Sequence, residues 1–274
     1  MSSASTTGLP SVGFIGLGNV GGKLAGSLLR NGVDLTVRDL DLAAAQPFLD
    51  GGAKWADSPK QLAESVDVVI TCLPSPTASA AVLEADDGVL AGLRAGQVWM
   101  EMSTTDESEM LRLAGRVSEL GATAVDCPVS GGCHRAATGN ISIFAGCDRA
   151  TFERVLPLLT TLGRKVLHTG QIGSASVLKV MTNYLATANL ISVTEALATM
   201  SAAGVDLATT FEAIKISSGN SFVHETESQQ NLNGSRDNGF NIDQELKDIR
   251  LLQAIAEPPD VPLEHNPKII DIYP

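Results

Sequence analysis

The segment that most constrains the fold lies near the start of the chain, where an apolar run leads into a glycine-rich turn and then a helical pattern. Val12-Gly-Phe-Ile-Gly16 has the composition of a buried strand, and Gly16-Leu-Gly18-Asn-Val-Gly21 fits G-x-G-x-x-G. In this context Gly16 permits a tight turn, Gly18 lets a pyrophosphate approach the backbone, and Gly21 lets the helix pack close to the strand. The following helix N-terminus presents free N–H groups to phosphates. The sequence therefore predicts a dinucleotide-binding unit.

Strand-like and helix-like segments alternate through the first 170 residues. Further strands are predicted at 34–39, 67–72, 97–102, 122–126 and 141–145, with helical patterns including 106–120 and 149–162. Such alternation is typical of a mostly parallel sheet that is covered by helices on both faces. We therefore expect an α/β fold with an N-terminal Rossmann-type doubly wound sheet.

The pattern changes after Gly170, beyond which only helices are predicted. They lie at about 173–203, 206–216, 222–232 and 241–256. The longest segment contains only two charged residues, but its many Ser, Thr and Asn side chains would be costly in lipid, so we expect a helix buried in protein. The predicted organisation is a disordered tail at 1–10, a dinucleotide-binding domain at 11–169 and an all-α domain at 170–274.

Charge and cysteine content exclude several classes of protein. With 19 Lys and Arg against 31 Asp and Glu, the net charge is −12, so the chain has no general attraction for nucleic acids or anionic membranes. Four cysteines, none in a CxxC pair, do not form a disulfide framework and favour a reducing, cytoplasmic compartment. The histidines are not clustered with carboxylates at metal-ligand spacing, so no metal is inferred.

An acidic residue ends the second predicted strand and indicates which cofactor is bound. Asp39 follows Gly21 by 18 residues, where a carboxylate can accept hydrogen bonds from both adenosine ribose hydroxyls and would repel a 2′-phosphate. Leu40 comes next, and Arg38 is expected to face the other way. The sequence therefore favours NAD over NADP, although Asp39 could instead cap the following turn.

Polar or glycine-containing loops follow three other predicted strands. In an open parallel sheet such loops gather at the carboxyl edge, where ligands bind. The loop with Leu73 and Pro74 and the loop with Thr104 could line the cofactor. Ser130-Gly-Gly132 offers a hydroxyl and unhindered N–H groups to a carboxylate. From composition alone, ordinary turns would explain all three equally well.

Lys179 is the most informative single residue for chemistry. It is the only Lys or Arg between Lys165 and Lys215, and it lies four residues before Asn183 on the same predicted helix face. Burial disfavours a charged ammonium, so a lysine on an apolar helix can exchange protons near neutral pH. The alternative is a lysine that extends to solvent from a helix end.

Taken in order and with their spacing, these motifs resemble those of the β-hydroxyacid dehydrogenases, a group that contains 3-hydroxyisobutyrate dehydrogenase and tartronate semialdehyde reductase and is related to 6-phosphogluconate dehydrogenase. The resemblance covers about 11–256. It rests on the following segments: Phe14 to Gly21, Leu73-Pro74, Ser103-Thr104, Pro128 to Gly132, Gly170 to Gly173, Lys179 with Asn183, and Lys247-Asp248.

The resemblance implies a role for each matching residue. Cofactor binding would fall to Gly16, Gly18, Asn19, Val20, Gly21, Asp39, Leu73, Pro74, Thr104 and Lys247. Substrate binding would fall to Ser130, Gly131, Gly132 and Asn183. Lys179 matches the catalytic lysine, and the long helix at 173–203 matches a dimerisation element, which implies a homodimer or homotetramer.

The chain departs from the family pattern in ways that bear on the substrate and on the C-terminus. Arg135 stands where the family has glycine, just beyond the carboxylate loop, and could bind a second anionic group or point into solvent. His134 lies in the same loop. Family members usually continue with a final helix after Val261-Pro-Leu263, and the segment 264–274, with Pro267, is expected to lack it.

The expected activity is NAD-dependent interconversion of a small, anionic 3-hydroxy acid and its semialdehyde, with Lys179 as general acid and base. Three alternatives stay open. An imine, glyoxylate or succinic-semialdehyde reductase of the same superfamily would differ in its substrate profile, and a nucleotide sensor would bind NAD without turnover. A methyltransferase would also use a glycine loop, but Gly16 to Gly21 followed by Asp39 favours NAD.

Overall fold

The computed structural model describes residues 8–235, 242–257 and 260–273. The chain divides into two compact units, residues 1–179 and 180–274. Most of the tail predicted at 1–10, namely residues 1–7, lies outside the described residues.

The first unit is built on a nine-stranded sheet. Its strands are β1 Val12–Ile15, β2 Leu35–Arg38, β3 Lys54–Trp55, β4 Val68–Thr71, β5 Val98–Glu101, β6 Thr123–Asp126, β7 Val129–Ser130, β8 Ile141–Gly146 and β9 Gly163–Gly170. The order is β3-β2-β1-β4-β5-β6-β8-β7, with β9 also paired to β8. Neighbours from β3 through β6 run parallel, whereas β8 is antiparallel to β6 and β7. Because the strand order reverses between β1 and β4, the ligand crevice of such a sheet is expected there.

Helices connect these strands and continue into the second unit. They are α1 Gly21–Arg30, α2 Leu42–Asp50, α3 Pro59–Ser65, α4 Pro76–Glu84, α5 Val89–Gly92, α6 Glu107–Glu119, α7 Gly132–Ala137, α8 Arg149–Leu162, α9 Ser174–Ala202, α10 Leu207–Lys215, α11 Phe222–Leu232, α12 Ile242–Ala256 and α13 Asn266–Ile272. Several begin at a Ser or Asp whose side chain accepts from a backbone N–H in the first turn: Ser58, Ser75, Asp106, Asp148, Asp206 and Ser221. Such caps satisfy donors that have no partner within the helix.

Two hydrophobic clusters cover the two faces of the sheet, as the predicted doubly wound fold requires. Along β4, Val68 and Ile70 join one cluster and Val69 joins the other. On β5, Trp99 belongs to the second cluster and is fully buried. This alternation follows from the two-residue period of a strand, and burial on both faces explains why these strands appear in the sequence as nearly continuous apolar runs.

The strands predicted at 12–16, 34–39, 67–72, 97–102, 122–126 and 141–145 are all present, whereas three others were not predicted. β3 and β7 have only two residues each, too few to show a periodic pattern. β9 begins Gly163-Arg-Lys165 and alternates weakly in burial, so it is recognisable only through its parallel pairing with β8. β3, β7 and β9 form strands because they pair with strands elsewhere in the sequence.

The described part of the second unit contains helices and their connecting loops. Its final helix corrects the expectation for the C-terminal segment. The segment 264–274 was expected to lack a helix, yet Asn266–Ile272 form α13. Pro267 is compatible with this because the first helical turn has no N–H partner to lose. Ile269 is buried, and the Asn266 Nδ2 donates to the Ile249 carbonyl at 3.1 Å, so α13 packs on α12.

The long helix α9 confirms the element predicted at 173–203. Within the described ranges, no helix has the combination of length and apolarity needed to cross a membrane.

Candidate active site

The three glycines of the loop after β1 have the three environments that the motif predicts. Gly16 has φ +98°, and a Cβ there would lie 2.3 Å from the Cys72 carbonyl oxygen. A Cβ at Gly21 would lie 2.0 Å from the Gly16 carbonyl oxygen. At Gly18, by contrast, a Cβ would meet nothing within 4 Å. The loop is therefore tight on the protein side and open at Gly18.

The start of α1 offers donors to an anion. Gly18 and Asn19 are exposed, and the helix starts after Val20, whose side chain cannot accept a hydrogen bond. No side chain in the described chain caps α1, in contrast to the Ser- and Asp-capped helices. An open glycine beside an uncapped helix N-terminus fits a dinucleotide pyrophosphate. These residues can therefore hold the phosphates of a dinucleotide.

Asp39 lies next to this loop. Its Oδ2 accepts from the Leu17 N–H at 2.6 Å, and its Oδ1 accepts from the Asp41 N–H at 2.9 Å. Arg38 instead places its guanidinium over the Trp55 ring, with 4.9 Å from Cζ to the ring centroid. The carboxylate thus lies on the glycine loop, and the arginine contacts β3.

Two loops at the carboxyl edge are tied together by a buried carboxyl. The Leu73 N–H donates to the Ser103 Oγ at 2.7 Å, and the Ser103 N–H donates to the Glu101 Oε1 at 2.8 Å. Glu101 is buried, and desolvation raises its pKa. Pro74 is exposed and Thr104 is half-buried. These two residues lie on the two loops that the hydrogen bonds of Ser103 join.

The Ser130–Gly132 loop has a backbone that requires glycine. Gly131 has φ +124° and Gly132 has φ +76°, both in the region that L side chains disfavour. Ser130 is half-buried at the end of β7. The Cδ of Arg135 would lie 2.9 Å from a Cβ on Gly131, so the arginine stem lies directly against this loop. His134 is exposed.

Lys179 lies in the first unit, near the start of α9, and only 8% of it is exposed. The helix start is held by Asp126 at the end of β6. The Asp126 Oδ2 accepts from the Ser176 N–H at 2.9 Å, and its Oδ1 accepts from the Ser176 Oγ at 2.8 Å. Desolvation raises the Asp126 pKa to about 6, although these hydrogen bonds oppose the shift.

In the second unit, the predicted residues Asn183 and Lys247 meet on a shared carboxylate. The Asn183 Nδ2 donates to the Asp248 Oδ2, and the Lys247 Nζ lies 3.1 Å from the Asp248 Oδ1. Asp248 is 2% exposed. Asp248 therefore fixes the orientation of the Asn183 side chain through its amide nitrogen.

Sequence reasoning assigned no role to three of these carboxyl groups. Asp126 accepts from Ser176, 50 residues away on the helix that carries Lys179, and Asp248 accepts from Asn183, 65 residues away. Glu101 accepts from Ser103, two residues away, and Ser103 in turn accepts from Leu73, 30 residues away. Asp126 ends one predicted strand and Glu101 is the last residue but one of another, and a carboxyl at that place in a parallel sheet was a usable signal. Asp248 had no signal beyond its adjacency to Lys247.

Comparison with known proteins agrees with this geometry. Residues 11–170 match the family model described as the NAD binding domain of 6-phosphogluconate dehydrogenase. Residues 173–272 match the one described as the NAD-binding domain of NADP-dependent 3-hydroxyisobutyrate dehydrogenase. Together these matches span most of the chain.

Individual relatives carry related names. The chain is 33% identical to 2-(hydroxymethyl)glutarate dehydrogenase of Eubacterium barkeri, over 96% of this chain and 87% of the relative. It is 32% identical to the NAD-dependent L-serine dehydrogenase of Pseudomonas aeruginosa, over 91% and 86%. A crystal structure of 3-hydroxyisobutyrate dehydrogenase from Salmonella typhimurium superposes with a TM-score of 0.87 at 28% identity, covering 96% and 92%. The chain thus belongs to the β-hydroxyacid dehydrogenase family and is an NAD(P)-dependent oxidoreductase that acts on CH–OH groups.

Proposed function

We propose that this protein interconverts a small 3-hydroxy acid, similar to 3-hydroxyisobutyrate, and its semialdehyde, with Lys179 as the general acid and base. The observation that carries the proposal is a buried lysine in the same compact unit as the glycine cradle, one turn inside a helix whose start is fixed to the sheet. A lysine that simply extended to solvent would not be 92% covered, and buried lysines with proton-exchange roles are documented.

In the proposed reaction, residues of this chain bind the substrate and move its proton. The Ser130 hydroxyl and the N–H groups of Gly131 and Gly132 hold the substrate carboxylate. Lys179, in its neutral form, takes the hydroxyl proton during oxidation and returns it during reduction. Asn183, four residues after Lys179 on the same helix, hydrogen-bonds to the substrate. The nicotinamide, when bound, supplies the site that accepts or gives the hydride.

We also propose that NAD is preferred over NADP. The support is the position of Asp39, whose carboxylate is hydrogen-bonded to the glycine loop and would repel a 2′-phosphate. Tenfold or greater preference for NADP in kcat/KM would contradict this assignment.

The test of the lysine role is Lys179→Ala against Lys165→Ala, which removes the same charge from an exposed strand position in the same unit. We expect Lys179→Ala to lower kcat at least a hundredfold, because the proton has no acceptor, with the Kd for NAD within twofold of wild type. Lys165→Ala should leave both unchanged. Turnover by Lys179→Ala within tenfold of wild type would remove the proposed role, and NAD binding without any hydride transfer by the wild type would favour a sensor.

A second candidate substrate is a hydroxy acid with two carboxylates. Arg135 favours it, because its stem lies against Gly131 and a guanidinium binds carboxylates bidentately. A relative named 2-(hydroxymethyl)glutarate dehydrogenase is consistent with this. If the candidate is correct, Arg135→Ala should raise KM for 2-(hydroxymethyl)glutarate at least tenfold and change KM for 3-hydroxyisobutyrate less than threefold. Equal effects on both acids would leave the monocarboxylate as the substrate.

We further propose that the protein is a homo-oligomer that associates along α9. This helix leaves Leu178, Met181 and Leu185 between 41% and 51% exposed, spaced three and four residues apart. Residues at that spacing share one helix face. Sedimentation of the wild type should give a dimer or tetramer, and a monomer at micromolar concentration would contradict the proposal.

A cytoplasmic location is proposed on the state of the thiols. Among the described residues, Cys72, Cys127, Cys133 and Cys147 form no disulfide, as expected where thiols stay reduced. Fractionation of cells that express the tagged protein tests it, and recovery outside the cytoplasm would contradict it.

A further inference from the structure

A buried side chain bonds the start of α9 to β6, in addition to the 2.7 Å contact of the Ser174 Oγ with the Thr169 Oγ1 of β9. Asp126 is the last residue of β6, has no exposed surface, and accepts from both the N–H and the Oγ of Ser176. The backbone N–H groups of Gly173 and Ala175 also stabilise the carboxylate. The two segments joined in this way are 50 residues apart in sequence.

This attachment is close to Lys179. Ser176 precedes Lys179 by three residues, which places the two side chains on neighbouring positions of one helix face, about 4.5 Å apart along the axis. Ala175 and Val180 are both fully buried on either side. A shift of the first turn of α9 would therefore move the lysine by a similar amount.

The other side of the attachment is rigid. β6 is paired in parallel to β5 over four residues and is bonded to β8 on its other edge, with Asp126 opposite Gly146. Asp126 also follows the buried Val125 and precedes the buried Cys127. The position of the Asp126 carboxylate is therefore set by the sheet, and the carboxylate in turn sets the position of the first turn of α9.

A buried carboxylate is a costly way to cap a helix. Asp148 caps α8 with the same two bonds, from the Thr151 N–H at 3.0 Å and the Thr151 Oγ1 at 2.6 Å, while staying exposed. Desolvation raises the pKa of Asp126, whereas hydrogen bonding lowers that of Asp148. Because an exposed aspartate makes the same two bonds, helix capping does not explain why Asp126 is buried.

We propose that Asp126 is a positioning residue, which fixes the first turn of α9 to β6 and thereby holds Lys179 at the place where it exchanges a proton with the substrate. This inference rests on the proposed role of Lys179. It assigns Asp126 no contact with substrate or cofactor.

The main experiment compares Asp126→Ala with Asp148→Ala, the matched loss of a two-bond cap away from the lysine. We expect Asp126→Ala to lower kcat at least tenfold, leave the Kd for NAD within twofold, and raise the primary deuterium isotope effect on kcat/KM. Asp148→Ala should lower the Tm but leave kcat within twofold and the isotope effect unchanged. Asp126→Asn should retain kcat within about threefold, because an amide can accept from the Ser176 N–H and donate to its Oγ.

Two results would overturn the inference. One is a folded Asp126→Ala protein with kcat within twofold of wild type. The other is an equal loss of kcat in both alanine variants, which would reduce Asp126 to a structural cap. If Asp126→Ala does not fold, Ser176→Ala decides, because it removes one of the two bonds: a three- to tenfold fall in kcat supports the inference, and an unchanged kcat overturns it.

A double-mutant cycle separates failure of this inference from failure of the proposed function. In a Lys179→Ala background, a residue that acts only through Lys179 has nothing left to position, so adding Asp126→Ala should leave the residual turnover unchanged. A further tenfold fall in that background would overturn the positioning role while the lysine role stands. A fully active Lys179→Ala enzyme would instead overturn the proposed mechanism and this inference together.

Discussion

The glycine loop allows a test in which two similar substitutions should have opposite consequences. Gly18→Ala and Gly21→Ala each add one methyl group, three residues apart. At Gly18 the added Cβ meets nothing within 4 Å, and φ lies outside the left-handed region. At Gly21 it would lie 2.0 Å from the Gly16 carbonyl oxygen, 1.0 Å inside the 3.0 Å below which Cβ contacts essentially never occur.

The expected magnitudes follow from these contacts. For Gly21→Ala, overpacking costs about 1–3 kcal/mol, and a contact this short against backbone places the cost near the upper end, at about 3 kcal/mol. Helix propensity offsets up to about 1 kcal/mol of this, so the net loss should be at least about 2 kcal/mol. For Gly18→Ala the unfolding free energy should change by less than about 1 kcal/mol. Its methyl group, however, occupies the space through which a pyrophosphate reaches the backbone, so the Kd for NAD should rise at least tenfold, which is about 1.4 kcal/mol.

Calorimetric titration with NAD and chemical denaturation of the apo protein provide the assay. Gly115→Ala is the matched control, because Gly115 is exposed on α6, away from the loop, and its Cβ also meets nothing within 4 Å. It should keep wild-type NAD affinity and stability or gain slightly. Wild-type NAD affinity in Gly18→Ala, or wild-type stability in Gly21→Ala, would refute the assignment of the loop.

Three further predictions concern carboxylates and a thiol. Asp39→Ala should reduce the ratio of kcat/KM for NAD to that for NADP at least tenfold, because repulsion of the 2′-phosphate is lost; an unchanged ratio would contradict the ribose-binding role. Burial raises the Asp126 pKa to about 6 from 3.8, so ionisation of its carboxyl costs stability as pH rises through that window. The free energy of unfolding of Asp126→Asn relative to wild type, measured by chemical denaturation, should therefore increase by up to about 3 kcal/mol between pH 4 and pH 7. A stability difference that does not vary with pH would contradict this. Burial also raises the pKa of the Cys127 thiol, so iodoacetamide at pH 8 should alkylate it only in urea, as peptide mass spectrometry would show.

The parts of the fold that the sequence predicted are those with strong local signals. β4 and β5 are buried on both faces and therefore appear as apolar runs, and α11 was placed at 222–232, where the structure has it. Elements without such a signal were missed. β9 has charged residues at its start and depends on β8 for pairing, and α13 contains a proline that is harmless only because it falls in the first turn.

The candidate site also contains residues with a local sequence signal and residues whose environment depends on packing. Residues whose proposed role depends on backbone freedom or on position at a strand end were predicted from local sequence. Gly16, Gly18 and Gly21 lie on one loop, and Asp39 is hydrogen-bonded to it. The prediction that Lys179 is buried was one of two open alternatives, and only packing decided it, leaving 8% exposed.

What the sequence determined by itself is the order of elements and the type of cofactor loop, because period, glycine placement and helix caps act over a few residues. Tertiary structure alone decided the supports of the site. Asp126 reaches Ser176 across 50 residues, and Asp248 reaches Asn183 across 65. No local pattern encodes such pairs, because a buried carboxylate finds its donors only after the sheet and helices have brought distant segments together.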